Sequence, residues 1–291
     1  MNNAKKIGKL KRFMNRLSPS AMIGILILIV VVVGAVFADQ LAPHDPMKNR
    51  LVQKLRPPVG EKALEGYYLG TDHLGRDIFS RLLVGGQPSL YIPFFAMLIS
   101  LVLGVTIGVT AGLGKGWVDD LLMRLTDIQL SIPLILIIIA VIAALGRTNI
   151  FTLILVLGTT GWVSYSRLVR GEVLTLRERE FILAAKGQGA NLLRIMVRHV
   201  LPNIGPTVIV ISTFQLAQLV LIEAALSFIG LGIPPSTPSW GGMLSEGRNH
   251  VFTSWWYATF PGIAITLYVL GINLVGDWLR DVLDPRLRGT L

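Results

Sequence analysis

Seven long stretches of this chain contain no Asp, Glu, Lys or Arg: Leu17–Ala38, Leu82–Gly114, Ile128–Gly146, Thr148–Ser166, His199–Ile222, Ala224–Ser245 and Asn249–Gly276. A helix needs about 20 apolar residues to cross the hydrocarbon core of a bilayer, and it satisfies its own backbone hydrogen bonds there. Runs this long and this regular leave an ordinary soluble domain little polar residue with which to cover itself. The composition agrees: 52% of the 291 residues are hydrophobic, only 15% are charged and mean hydropathy is +0.63, whereas soluble chains carry about 25% charged residues. The absence of cysteine excludes disulfide frameworks, Cys-ligated zinc and thiol nucleophiles.

Trimmed by their turn residues, the runs predict six spans at about 21–38, 90–112, 130–147, 149–169, 206–230 and 257–278. The stretch 232–245, with Pro234, Pro235, Pro238, Gly241 and Gly242, reads as a loop. Lys5, Lys6, Lys9, Lys11, Arg12 and Arg16 precede the first span with no acidic residue among them, so the positive-inside rule puts the N-terminus in the cytoplasm, and six crossings return the C-terminus there. A cleaved signal peptide is the rival reading, because Val36-Phe37-Ala38 resembles a cleavage site. The apolar run exceeds the usual 7–15-residue signal core, which favours an uncleaved anchor. The expected organisation is a cytoplasmic tail, anchor and long outer loop over 1–88, a five-helix core over 89–283 with an inner loop at about 170–205, and a cytoplasmic tail over 284–291. On this topology most of the +10 net charge lies on the inner segments, which makes it an orientation signal rather than a nucleic-acid footprint.

Little in the sequence supports catalysis. His44, His73, His199 and His250 form no HExxH pair, and there is no G-x-S-x-G elbow. The glycine-rich pieces at 112–116 and 187–189 lack the phosphate-cradling P-loop frame. Glu223 is the one ionisable residue deep inside a predicted span, and such a carboxylate either faces a wet pathway or pairs with a nearby donor. It is also what a gradient-driven carrier or channel, the reading from another class, would rest on. Gly104, Gly108 and Gly112 recur every four residues, which is the pattern of close helix packing. Pro133, Pro206 and Pro261 fall near span starts, where a missing N–H costs least.

The inner stretch 177–202 is the most informative. Arg177, Glu178, Arg179 and Glu180 lead into Phe181-Ile182-Leu183-Ala184-Ala185-Lys186, and Gly187 and Gly189 then predict that a short helix ends in a tight turn. Leu192, Leu193, Met196, Val197 and Val200 form an apolar stripe with Arg194 and Arg198 on another face, which Pro202 is expected to stop. Such an element fits a lipid surface or a protein partner equally well.

Ala184-Ala185, Gly189 and Leu201-Pro202 resemble the cytoplasmic "EAA" loop of binding-protein-dependent ABC importer permeases, with Leu183 in place of the consensus Glu and His199 in place of Ile. The segment 69–82, which contains Asp72, Gly75, Arg76, Asp77 and Arg81, resembles the signature preceding the second span of C-type permeases in the dipeptide/oligopeptide/nickel family. A second signature is similar to 223–232 and to Pro238-Ser239-Trp240-Gly241, and Asp284-Pro285-Arg286-Leu287-Arg288 resembles the usual ending. The resemblance implies an all-α, six-span type I importer permease in a bacterial inner membrane, without an ATPase site or cofactor of its own. ATP and Mg would be bound by two partner ATPases, and the other implied partners are a homologous B-type permease, an extracytoplasmic binding protein and membrane lipid, with no nucleic acid. It implies that the EAA loop docks on the ATPase. Peptides are the expected cargo; glutathione, opines and nickel chelates are the alternatives within the family. For Asp72, Arg76 and Asp77, a structural salt-bridge cluster and a contact for binding protein or substrate both remain open.

Overall fold

The computed structural model describes residues 18–114, 116–146 and 149–283, so the basic tail and the 284–288 ending lie outside the described residues. Local chemistry sets the helix boundaries. Ser18 caps α1 (Pro19–Val36), accepting from the Ala21 N–H at 3.2 Å, and α2 (Ala38–Leu41) extends it by one turn. Asp77 caps α3 (Ile78–Leu113), whose 36 residues rise about 54 Å despite Pro88 and Pro93. There follow α4 (Trp117–Leu130), α5 (Leu134–Leu145), α6 (Ile150–Thr160), α7 (Trp162–Leu176) and α8 (Glu180–Gly187). The chain then forms α9 (Leu192–Ile195), a π turn at Met196–Val200, α10 (Leu201–Phe228), α11 (Trp240–Gly247) and α12 (Trp256–Leu283). No strand forms among the described residues, and one isolated bridge joins Thr71 to Asp77.

The all-α membrane architecture matches the expectation, while the span boundaries differ. Pro19–Val36, Ile78–Leu113, the nearly continuous Leu192–Phe228 and Trp256–Leu283 are each long and apolar enough to cross a bilayer. The expected straight span at 130–147 is instead α4 and α5, bent by 86°. The lone α5, 12 residues long, rises only about 18 Å. Pro133 explains the break, since its ring excludes a continuous helix and disfavours helical geometry at Ile132. The expected span at 149–169 is divided at Gly161 into α6 and α7.

Pro202 does not stop the preceding helix. The π turn widens the coil just before it, and the Leu201 N–H reaches back five residues to the Met196 carbonyl, which absorbs the proline without ending the run. Pro206 and Pro261 accordingly sit inside α10 and α12 rather than at their starts.

Glycines then set the packing. Along α3, Gly104 abuts Trp162 and Tyr165. A Cβ on Gly108 would lie 2.6 Å from the Ser166 carbonyl, and one on Gly112 2.7 Å from Val173 Cβ. Higher up, a Cβ on Gly158 would lie 2.7 Å from Ile99. Residues 158–173 therefore run parallel to residues 99–112, level by level, so α6 and α7 act as one rod laid along α3. At the other flank, Gly24 of α1 meets Leu274 of α12, and Gly271 meets Leu28. These are the close backbone approaches that small residues permit between apolar helices.

The glycine stripe carries a prediction. Gly108→Val should overpack the α3–α7 contact at a cost of about 1–3 kcal/mol, read as a lowered unfolding temperature in detergent, whereas Gly171→Ala, where a Cβ meets nothing within 4 Å, should leave it unchanged.

Candidate functional site

Two groups of the singled-out residues lie at opposite ends of α3. At its N-terminal end Asp72, Arg76 and Arg81 meet in a buried ionic network. Asp72 Oδ2 accepts from Arg76 Nε at 2.6 Å and from Arg81 Nη1 at 2.5 Å, while its Oδ1 accepts the N–H groups of Leu74 and Arg76. Both guanidiniums also reach Glu246 of α11. Arg81 donates twice, at 2.7 and 3.1 Å, and Arg76 once, at 2.9 Å. The Tyr257 hydroxyl donates to Glu246 as well, and it touches His73 Nδ1 at 2.9 Å. Two carboxylates thus balance two arginines whose side chains are 6% and 1% exposed. Asp72, His73 and Glu246 stand close enough together to hold a cation, but the arginines already neutralise both acids.

Asp77 belongs to a neighbouring cap rather than to this network. Its Oδ2 accepts from the Ser80 N–H and hydroxyl, and His44 Nδ1 lies 3.6 Å away. Gly75 provides the tight turn between the two, with its N–H on the Asp72 carbonyl. The second signature completes this end. Ser239 caps α11, the Trp240 N–H donates to Ser89 Oγ and its indole to the Leu82 carbonyl, while Pro238 and Gly241 are buried beside them. Glu246 itself was not singled out in the sequence. Its signal was present: Glu246 and Arg248 are the only charges between Ala224 and Gly276.

Glu223 is buried near the C-terminal end of α10. Its Oε1 accepts from Ser227 on the same helix at 2.8 Å, and its Oε2 has no hydrogen-bond partner. Ser227 Oγ also accepts from the Ile233 N–H, which ties the carboxylate to the loop after Gly230. That glycine, at φ +82, closes α10 with bonds from its own N–H to Ser227 and from the Leu231 N–H to Leu226.

At the C-terminal end of α3, α8 stands out from the bundle. Gly189, at φ +81, ends it with the same arrangement: its N–H reaches Lys186 and the Ala190 N–H reaches Ala185. Ala184 and Gly189 are exposed and Ala185 half-buried, as are Leu201 and Arg177, whereas Glu178, Arg179, Glu180 and Pro202 are exposed. Leu183, which replaces the consensus acid, is 53% exposed. Ile182 is the one buried side chain of α8, enclosed by Val109, Val169, Val173, Ile195, Val200 and Ile204, and Phe181 packs on the His199 ring. The expected stripe divides: Val200 is buried, but Leu192, Leu193 and Val197 face outward. Phe181, Ala184, Ala185, Arg194, Arg198 and His199 line a cleft between α8 and the segment after it.

The ionic network has a pH signature. Burial raises the pKa of Glu246, but the hydrogen bond and charge of Arg81, the Tyr257 hydroxyl and the charge of Arg76 outweigh it and bring it to about 2. A depressed carboxylate pKa stabilises the fold above its unfolded value near 4.5 and loses that contribution as pH falls toward 2. Acid titration of stability should therefore show a loss across that window, which Glu246→Gln abolishes. At neutral pH the same substitution should cost about 3–5 kcal/mol, because it breaks a buried pair.

Comparison with known proteins fits this geometry. Residues 104–289 match the family described as binding-protein-dependent transport system inner membrane component, and residues 10–58 match the N-terminal TM domain of oligopeptide transport permease C. The di/tripeptide transport system permease protein DppC of Pseudomonas aeruginosa is 40% identical over 272 residues, covering 92% of this chain and 88% of that protein. The oligopeptide transport system permease protein OppC of Bacillus subtilis is 36% identical over 268 residues, covering 92% and 86%. Among solved structures, an inward-facing MetNI methionine ABC transporter chain superposes with a TM-score of 0.57 at 18% identity, covering 70% of this chain and 96% of that one, which is a likeness of fold. The chain belongs to the binding-protein-dependent transport system inner membrane components, in the oligopeptide permease C group of ABC importer permeases.

Proposed function

We propose that this chain is the C-type half of a peptide importer's membrane channel, driven through α8 by partner ATPases. The exposed α8, held to the bundle by one buried side chain, is the observation that carries the reading. Ala184 and Gly189 are exposed and Ala185 half-buried, and with side chains this small the three permit close approach by another protein. Arg177, Glu178, Arg179 and Glu180 supply polar contacts along the edge. Motion imposed on α8 would pass through Ile182 into the ends of α3, α7 and α10, because all three contribute to the cluster that encloses it. A packed cluster transmits displacement rather than absorbing it.

Peptides are the inferred cargo because the similar permeases are named for di-, tri- and oligopeptides. Catalysis is assigned to the partners: two ATPases bind ATP and Mg, a B-type permease completes the pathway, an extracytoplasmic protein delivers the substrate, and this chain needs no cofactor. Crossings at α1, α3, α4–α5, α6–α7, α10 and α12 give the six of the family reading, with α6–α7 counted as one because it tracks α3. Both termini then face the cytoplasm of a bacterium, the ionic network faces outward, and Glu223 serves as a structural tie near the outer side.

Uptake should require ATP and both permeases, and reconstitution of this chain alone should give no transport; uncoupler-sensitive transport by the lone chain would instead mark a gradient-driven carrier. Ala185→Glu and Gly189→Trp should each lower ATPase co-purification by about tenfold or more while membrane insertion persists. Ile182→Ala removes the anchor and not the docking surface. It should leave the ATPase bound and lower the uptake obtained per ATP hydrolysed, a split that distinguishes transmission from docking.

A further inference from the structure

One charged cleft is absorbed by neither the ionic network nor the coupling segment. Asp127 near the end of α4 pairs with Arg167 of α7, and their side chains are 63% and 53% exposed. With Met123 and Arg170 they line an open cleft of about 390 Å³, a size in the range of small-ligand sites. Arg170 is fixed in its wall, because Asp119 takes both its Nε and Nη2 in a bidentate pair at 2.6 and 2.7 Å. Among the described residues, Arg167 and Asp127 form no ion pair other than the one with each other.

The position of the pair is defined by the packing on α3. Gly104 meets Trp162 and Tyr165 while Gly108 meets Ser166 and Val169, so Arg167 lies between those levels, about 10 Å from the Leu113 end of α3. That is the same end from which α8 projects. Its partner acid sits on the helix that breaks at Ser131–Pro133, and broken helices in transporters occur where they border a cavity.

We propose that the Asp127–Arg167 pair is a low-affinity subsite for the charged ends of a free peptide at the release side of the pathway. This rests on the peptide-importer reading and adds the residues and the ligand chemistry to it. Free peptides carry one ammonium and one carboxylate. Asp127 suits the first and Arg167, whose planar fork matches a carboxylate, suits the second. An exposed ion pair contributes little to stability, so a ligand can open it at small cost. The same weakness suits a site that must release its cargo, since transport requires binding strong enough to admit a substrate and weak enough to let it go.

The test uses the whole importer, both permeases with both ATPases, without binding protein, in nanodiscs of phosphatidylglycerol, which offers no zwitterionic headgroup. Saturation-transfer NMR would compare alanyl-alanine with its N-acetyl and C-amide derivatives. The intact complex should prefer the free dipeptide to either derivative by roughly fivefold. Arg167→Gln should erase the preference over the amide and keep that over the N-acetyl form, and Asp127→Asn should do the reverse. Equal binding of all three peptides by the intact complex, or the same preferences in both variants, overturns the proposal. So does separation of the two permeases in either variant, which would make the pair a subunit bridge. ATP-driven alanyl-alanine uptake by the intact importer with its binding protein is measured alongside. Its absence defeats the importer reading itself, whereas uptake without these end-group effects defeats only the subsite.

Discussion

The structure depends on the close approach of α3 to α7, which three glycines spaced four apart permit. With side chains at 104, 108 and 112, the backbones could not come as near as the Ser166 carbonyl and Val173 require. Apolar helices in lipid gain little from hydrophobicity against each other, so contact geometry determines which pairs hold. Once α7 lies along α3, the positions of everything attached to either end follow. One end of α3 begins at Asp77 beside the buried ionic network, and the other finishes at the cluster around Ile182.

That arrangement gives the two ends different mechanical characters. The N-terminal end is densely tied: two arginines and two carboxylates bind one another, backbone N–H groups and the Tyr257 hydroxyl complete the acids, and Trp240 adds hydrogen bonds into α3. A balanced buried network costs little further once assembled but resists piecemeal disruption. The C-terminal end is more lightly held: Ile182 is the one buried side chain of α8, which is flanked by outward-facing Leu183, Leu192, Leu193 and Val197. On the proposed reading this is the useful asymmetry, a firm outer frame and an inner lever that a partner can move.

Much of this was legible in the sequence because the bilayer imposes simple rules. Charge-free runs located the long helices, the four-residue glycine spacing marked the close-packing face of α3 without naming its partner, and Gly189 located the turn after α8. Failures came where a local rule met a wider context. Pro133 broke a run that composition alone read as one span, because hydropathy counts residues and is indifferent to a missing N–H. Pro202 was expected to end a helix, but the π turn ahead of it supplied an alternative hydrogen bond. Glu246 was not singled out because its partners lie 165 and 170 residues away in sequence, and no periodicity links positions so far apart. The Asp127–Arg167 pair is hidden for the same reason.

The distribution of charge also bears on where energy enters. A carrier that uses a gradient needs titratable groups along its path; among the described carboxylates of the crossings Glu223 is the buried one, whereas Asp127 is open in its cleft and paired with Arg167. The hydroxyl donor to Glu223 is one turn away on the same helix, and Ser227 passes the connection on to the Ile233 backbone. This geometry joins the end of a helix to the loop that follows it. Polar chemistry is concentrated instead at the two ends of α3, where one face is locked and the other is available to a partner. On the proposed reading, that arrangement lets another protein move this chain through the end of α3 that carries α8.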